Sequence, residues 1–195
     1  MALEGTLGRD GSERLDRIKR LAKTAGKLFL EFILLCLLAL LFFLRVPQVT
    51  GHSMEPQLLA GEHVLIDTLA FDFRLGALDI HLHDLARGDV VAFAHGEGDD
   101  RQSYVKRIVG LPGDAVAISD GQVLVNSLAL KEPYVSKRDR SNLAEITVPA
   151  GAYFVLGDNR GESDDSRAFG PVARSAIIGR AAAVVWPLGR AGRIR

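Results

Sequence analysis

The sequence has almost no cysteine and no excess of either charge. Cys36 is the only cysteine in 195 residues, so no disulfide can form within the chain. Lysine plus arginine number 24, as do aspartate plus glutamate, and the formal net charge is zero. Nothing in this balance points to a nucleic-acid partner. The length suffices for one compact domain with an anchor or a tail.

Long apolar runs are missing too, except for one near the N-terminus. Residues 28–44 (LFLEFILLCLLALLFFL) contain only one charged residue, Glu31. As a helix this run would rise roughly 26 Å, which is close to the hydrocarbon thickness of about 30 Å. We predict a transmembrane anchor over residues 28–46, ended by Pro47. A cleaved secretory signal is one alternative, but the polar lead-in is long and no small-x-small cleavage site follows Leu44. A buried core helix is the other, but the apolar residues run all round the helix and leave no polar face.

Basic residues flank this run unequally, and their positions predict its orientation. Arg45 is the only base close behind the run, whereas six lie within residues 14–27 before it: Arg14, Arg17, Lys19, Arg20, Lys23 and Lys27. The positive-inside rule then places residues 1–27 in the cytoplasm and residues 47–195 outside. The expected location is the cell membrane, as a single-pass protein with the lipid bilayer as a partner.

The remaining chain, residues 47–195, shows no long amphipathic helix pattern. It consists of short runs rich in β-branched and aromatic residues: HVLID, DVVAF, YVKRIV, AVAI, QVLV, EITV, YFVLG and AAAVVW. Ser119-Asp120-Gly121 is a hairpin turn signal between two of them. We predict a mainly β domain of antiparallel strands. Residues 68–86 interrupt this pattern, and either packing on the core or contact with lipid would explain their apolar side chains.

Ser53 lies in the segment Gly51-His52-Ser53-Met54-Glu55-Pro56, where glycine and proline bracket it tightly. Hydrolysis by a serine requires a hydroxyl on a rigid turn, a base, and donors for the oxyanion. The segment offers the first of these, although a lone loop serine is more often structural. His52 is not expected to be the base, because adjacent side chains in an extended segment point apart.

Lys106 lies in the predicted strand YVKRIV, where side chains alternate between faces. Tyr104, Lys106 and Ile108 share one face, so Lys106 has two apolar neighbours there. Burial lowers the pKa of a lysine and can make it a base at neutral pH. Alternation alone, however, favours a lysine whose amine reaches water.

A third segment, residues 157–172 (GDNRGESDDSRAFGPV), is a loop dense in hydroxyls and carboxylates. It could orient an amine and form ion pairs. Taken alone, the segment is equally compatible with a solvated loop or a metal site.

Two other short patterns are weak signals. His81 and His83 lack a third ligand for zinc, and Arg87-Gly88-Asp89 is attributed to chance. The neighbouring charged stretch 137–142 (KRDRSN) is expected to be exposed.

Four motifs occur together and in order: SMEP (53–56), RGDVVAF (87–93), YVKRIVGLPGD (104–114) and the loop 157–172. Over residues 28–187 the chain resembles the bacterial type I signal peptidases, Ser-Lys proteases that remove signal peptides. The resemblance implies an antiparallel β-sheet catalytic domain of the signal-peptidase and LexA-like type, preceded by one membrane helix. It implies no metal and no cofactor.

The resemblance also implies roles for individual residues. Ser53 would be the nucleophile, Lys106 its general base, and Ser163 the residue that orients the lysine. Gly51 stands where many relatives have a hydroxyl residue, so the oxyanion donors would be backbone N–H groups at Ser53 and Gly51. The pocket for the small residues at −1 and −3 would be lined by Val49, Met54, Leu58, Tyr104 and Val105. Structural ion pairs would involve Arg107, Asp158, Asp165 and Arg167.

The expected function is endoproteolysis of exported preproteins after small-x-small residues at the outer membrane face. Three alternatives differ from this function. A self-cleaving Ser-Lys repressor would carry a DNA-binding module where this chain has its apolar run. A dedicated pilin or conjugation-type peptidase, and a non-catalytic membrane-anchored β-domain for protein contacts, remain alternatives.

Overall fold

The computed structural model describes residues 7–68, 73–75, 78–80, 84–96, 98 and 102–194. The chain divides into two compact units, Met1–Phe43 and Leu44–Arg195. His81 and His83, the pair with spacing typical of metal ligands, lie outside the described residues.

The first unit is built from a single helix, α1, which spans Leu7–Phe43. It includes most of the apolar run and ends three residues before the predicted boundary at 46. Among the described residues, no helix meets the length and apolarity needed to cross a membrane. The structure therefore does not confirm the predicted anchor over residues 28–46.

The second unit is mainly β, as the short apolar runs predicted. Its strands are β1 (Leu44–Arg45), β2 (His63–Asp67), β3 (Phe73–Leu75), β4 (Leu78–Ile80), β5 (Val90–His95), β6 (Gln102–Gly110), β7 (Ala115–Ser119), β8 (Gln122–Val125), β9 (Leu128–Ala129), β10 (Leu143–Thr147), β11 (Ala152–Leu156), β12 (Val172–Ala173), β13 (Ile177–Trp186) and β14 (Gly192–Arg193). A short helix, α2 (Ser166–Phe169), precedes β12.

The largest sheet has the order β1-β2-β13-β5-β6-β11-β12, and β14 pairs with β13. Neighbouring strands are antiparallel throughout. Strand β6 lies near the middle, hydrogen-bonded to β5 on one side and β11 on the other. A residue at the centre of β6 is thus enclosed by the sheet itself and by whatever packs on its two faces.

A smaller sheet has the order β10-β7-β8-β9. Ser119 pairs with Gln122, so Asp120 and Gly121 form the two-residue hairpin loop that the sequence predicted. Both have positive φ, 46° and 75°, as a type I′ turn requires. The predicted antiparallel arrangement is confirmed in both sheets. Strands β3 and β4 form a separate two-stranded ribbon within the 68–86 interruption.

The core consists of three apolar clusters, and each supports a different part of the site. Met54, Leu58 and Ile66 belong to a cluster that holds the segment containing Ser53. Val91 and Phe93 of β5 and Ile108 of β6 belong to a second cluster. The third joins β11 to the small sheet. Burial of these side chains, at about 25 cal/mol per Å² of apolar surface, fixes the backbone around Ser53 and Lys106.

Candidate active site

Ser53 lies in a turn that follows the isolated bridge between Gln48 and His63. Backbone bonds close this turn: Glu55 N–H donates to the His52 carbonyl at 3.2 Å, and Leu58 N–H donates to the Met54 carbonyl at 2.9 Å. Met54 is 2% exposed and Leu58 is fully buried. These two side chains anchor the turn in the core, so the intervening hydroxyl is held at a fixed position.

Lys106 lies at the centre of β6 and is only 3% exposed. Its Nζ lies 2.5 Å from Ser53 Oγ, and the two groups are hydrogen-bonded. The amine also lies 5.5 Å from the centroid of the Tyr104 ring. Burial lowers the pKa of Lys106, and the carboxylates of Asp165 and Asp164 only partly oppose this effect. A buried amine beside a hydroxyl can accept its proton, as nucleophilic catalysis by serine requires.

Arg107, the next residue of β6, faces the other side of the sheet and is 1% exposed. Its guanidinium forms a bidentate pair with Asp158 at 2.9 and 2.7 Å and donates to the Gly88 carbonyl at 2.7 Å. The ring of Tyr134 stacks over it at 4.1 Å. The charge of Arg107 is therefore satisfied on a face that Lys106 does not share.

The loop after β11 brings the third motif to the site. Gly157 donates its N–H to Asp165 Oδ2 at 3.0 Å. Asp165 also caps α2 by accepting from Arg167 N, and it pairs with Arg167 Nε at 2.8 Å. These bonds fold the loop 157–167 back onto itself beside Ser53.

Ser163 lies in the same loop, packed against Gly157. A Cβ atom at Gly157 would come within 2.2 Å of Ser163 Oγ and 2.5 Å of the Ser53 carbonyl oxygen. Within the described part of the chain, the buried Ser163 hydroxyl has no hydrogen-bond partner. The structure thus brings Ser163 near Ser53 without a hydrogen bond to Lys106.

A cavity of about 650 Å³ opens beside the Ser53–Lys106 pair. Four of the predicted pocket residues line it: Val49, Met54, Tyr104 and Val105. The fifth, Leu58, does not line the cavity, because it is fully buried in the cluster behind Met54. Gly51 lies on the wall, and a Cβ placed there would meet nothing within 4 Å. Further wall residues that the sequence did not indicate are Val64, Ile66, Ala92, Ile178, Glu162 and Asp164.

His52 is hydrogen-bonded to Glu55, with 2.8 Å between Nδ1 and Oε1. This bond and the charge of Glu55 raise the pKa of His52. The imidazole is thus engaged by the carboxylate three residues on. Among the described residues, no group of three or more His, Cys, Asp or Glu side chains could hold a metal ion.

Sequence reasoning missed the residues that hold the loop 157–167 from behind. Arg160 and Glu132 form a buried bidentate pair, and Arg167 pairs with Asp139. Tyr134 contributes the ring over Arg107, and burial raises its pKa. Glu132, Tyr134 and Asp139 belong to the segment between β9 and β10. Glu132 and Asp139 each come 28 residues before their arginine partner, whereas Tyr134 follows Arg107 in the chain. No local sequence pattern predicts a pairing between residues so far apart in the chain.

A serine hydroxyl beside a buried lysine amine, at the wall of a cavity, is an arrangement that nucleophilic catalysis by serine can use. The model of the family "Signal peptidase, peptidase S26" matches residues 22–186. The chain belongs to this family. The resemblance seen in the four motifs is confirmed.

Two relatives similar in sequence agree with this assignment. The chain is 32% identical over 171 residues to a probable signal peptidase I-2 of Synechocystis sp., covering 86% of this chain and 74% of that protein. It is 33% identical over 157 residues to signal peptidase IB of Staphylococcus aureus, covering 71% and 76%. A crystal structure of a signal peptidase I from Enterococcus faecalis V583 superposes with a TM-score of 0.46 at 32% identity, covering 51% of this chain and 98% of that one.

Proposed function

We propose that this protein is a serine endopeptidase of the signal peptidase I type. It would cleave signal peptides from exported preproteins after small-x-small residues. The observation that carries this proposal is the 2.5 Å separation of Ser53 Oγ from the Nζ of a lysine that is 3% exposed. Membership of the signal peptidase family supports the choice of substrate.

The proposed reaction uses Lys106 in its neutral form. The amine accepts the Ser53 proton while Oγ attacks the scissile carbonyl, and the resulting ammonium then protonates the departing amine. The signal peptide stays attached to Ser53 as an ester. Neutral Lys106 next takes a proton from water, whose oxygen attacks the ester and releases the carboxylate. The proton returns to Ser53 Oγ, so both groups end as they began.

Backbone N–H groups of Ser53 and Gly51 are the proposed donors to the oxyanion. Each such donor is typically worth about 3 kcal/mol of transition-state stabilisation. The open space beside Gly51 supports this assignment, because a carbonyl can approach the main chain there without meeting a side chain. The hydroxyl that other members carry at this position would be absent here.

The cavity wall supports the proposed specificity for small residues at −1 and −3. Val49, Met54, Tyr104 and Val105 present apolar surface close to Ser53. Leu58 would act from behind, by keeping Met54 in place within their shared cluster. Large side chains in the substrate would meet these walls before the scissile carbonyl reached Ser53.

Ser163 is the proposed orienting residue for Lys106. Its buried hydroxyl has no other partner within the described chain, so it is available to a lysine amine. The ion pairs Arg107–Asp158 and Arg167–Asp165 are proposed as supports that keep β6 and the loop 157–167 in place. None of these four charges is proposed as a proton carrier.

The proposed location is the outer face of the cell membrane, with residues 28–46 as the anchor and residues 1–27 in the cytoplasm. Support comes from the sequence, in the apolar run and the unequal basic flanks. The bilayer and the signal peptide would then be the two partners of the protein.

The test is cleavage of a preprotein whose signal ends in Ala-x-Ala. Ser53→Ala and Lys106→Ala should each lower the rate by about 10⁴-fold or more, as loss of a nucleophile or its base does. Ser119→Ala, in the small sheet, and Lys131→Ala, just after it, are matched controls at exposed positions and should cleave normally. A wild-type rate in either of the first two variants would contradict the proposal.

A further inference from the structure

Asn159 makes two hydrogen bonds to the turn that carries Ser53. Its backbone N–H donates to the Ser53 carbonyl at 3.0 Å. Its side-chain Nδ2 donates to the His52 carbonyl at 3.2 Å, across 107 residues of chain. One residue therefore holds two successive peptide groups at the proposed nucleophile.

The bond to His52 has a geometric consequence for its neighbour. A peptide group is planar, so the His52 carbonyl and the Ser53 N–H lie in one plane and point in opposite directions. Fixing the carbonyl oxygen therefore fixes the direction of the Ser53 N–H. That N–H is the proposed donor to the oxyanion. It stabilises the transition state most when it already points toward the oxyanion position before the reaction.

The bonds within the turn restrain the His52–Ser53 peptide group only weakly. The His52 carbonyl also accepts from Glu55 N–H at 3.2 Å, but this bond lies within the same short turn. It cannot stop the turn from tilting as a whole. The bond from Asn159 restrains this peptide group from a different part of the fold.

Asn159 is itself held firmly. Its carbonyl accepts from Glu162 N–H at 3.1 Å. The next residue, Arg160, donates to the Gly157 carbonyl at 3.1 Å and pairs with buried Glu132. Arg167 donates to the Arg160 carbonyl at 2.7 Å. The segment behind Asn159 is thus braced on both sides.

We propose that Asn159 is a positioning residue whose side chain, through the His52 carbonyl, orients the Ser53 N–H toward the oxyanion. This inference rests on the proposed function, in which Ser53 is the nucleophile. It assigns Asn159 no contact with substrate. Its loss should weaken the transition state and leave substrate binding nearly unchanged.

The test compares Asn159→Ala and Asn159→Asp in the full chain, with the Ala-x-Ala preprotein as substrate. Both changes remove the Nδ2 donor and keep the backbone bond to Ser53. Because loss of an oxyanion donor itself lowers kcat by about 10²–10³-fold, a misdirected one should lower it by roughly 10–100-fold. KM should stay within about twofold. The acid limb of the pH–rate profile should not move in Asn159→Ala, which adds no charge near Lys106 and leaves its burial unchanged.

Asn142 offers a matched control. Its Nδ2 donates to the Arg140 carbonyl at 3.3 Å and its Oδ1 accepts from Asp120 N–H at 2.9 Å, both within the small sheet and its loops. Asn142→Asp removes the same kind of donor and should leave kcat unchanged. Thermal unfolding of every variant shows whether a fall in kcat reflects a loss of folded protein.

Three results would overturn the inference: a wild-type kcat in both Asn159 variants, a raised KM at constant kcat, or a fall in kcat that follows the folded fraction. Failure of both Asn159 variants to fold would also overturn the inference, because Asn159 would then be a purely structural residue. These outcomes differ from failure of the proposed function, which would appear as activity in Ser53→Ala.

Discussion

At the scale of single residues, the role of base proposed for Lys106 carries a cost in stability. A lysine 3% exposed in the middle of a sheet has a lowered pKa, because burial penalises its charged form. The same penalty weakens the fold wherever the lysine would otherwise be protonated. Catalysis and stability thus make opposite demands on one side chain.

Lys106→Met should abolish cleavage and raise the free energy of unfolding at pH 7 by roughly 1 kcal/mol. The folded-state pKa is the lower one, so between the two pKa values the unfolded state binds more protons and stability of the wild type rises with pH. The gain from methionine should therefore shrink as the pH approaches the unfolded value of about 10.4. Denaturant titrations at pH 7 and pH 10.5 measure both effects.

Lys131→Met, at an exposed position, is the control and should change stability little at either pH. An equal loss of stability in Lys106→Met at both pH values would show that packing, rather than charge, dominates at this position.

The sequence allowed the face of Lys106 to be predicted but not its burial. Alternation placed it with Tyr104 and Ile108, yet the same alternation suits a lysine that reaches water. Burial arises because β5 and β11 enclose β6 and the Ser53 turn covers the amine. These neighbours come from distant parts of the chain, and only the family resemblance indicated them.

At the scale of elements, the segment between β9 and β10 braces the loop 157–167. Glu132 and Arg160 have side chains only 0% and 2% exposed, and they are bonded to each other. Asp139 reaches Arg167 in the same loop. The loop beside Ser53 therefore depends on a segment that contributes nothing to the cavity wall.

Glu132→Gln should lower the free energy of unfolding by about 3 kcal/mol, because removing one partner of a buried pair leaves the other charge uncompensated. Cleavage at temperatures where the variant is folded should also slow, since Arg160 helps to position Asn159. Glu145→Gln, on the exposed side of β10, is the control. Equal stability of the two variants would contradict this account.

Element prediction succeeded where the signal was local. The Asp120-Gly121 turn was predicted because two adjacent residues suffice to define it. The stretch 137–142 was expected to be exposed, but Asp139 within it is paired with Arg167. A charged residue near a loop tip looks the same in sequence whether its partner is water or a distant arginine.

At the scale of the whole molecule, the chain consists of two units that meet at residue 43. Strand β1 follows at once, and Leu44 and Arg45 pair with Asp67 and Ile66 of β2. The folded β unit therefore begins earlier than the boundary at 47 that the sequence suggested.

Removal of residues 1–43 should leave a folded β unit that cleaves a short Ala-x-Ala peptide but no longer sediments with membranes. Removal of residues 1–48 should lower the melting temperature in addition, because it deletes β1 and the Gln48–His63 bridge. Thermal unfolding and membrane fractionation of both proteins test this. Persistent sedimentation of the first protein with membranes would argue against residues 28–46 as the anchor.

Because Lys106 and Arg107 face opposite sides of the sheet, the proposed chemistry depends on the alignment of β6. A slip of one residue would exchange the two faces and place Arg107 beside Ser53, where a guanidinium is always charged and cannot serve as a base. The slip would also separate Arg107 from Asp158 and leave a buried carboxylate without its partner. The ion pair thus acts as a check on strand alignment, and inserting or deleting one residue in 102–105 should be far more damaging than replacing one.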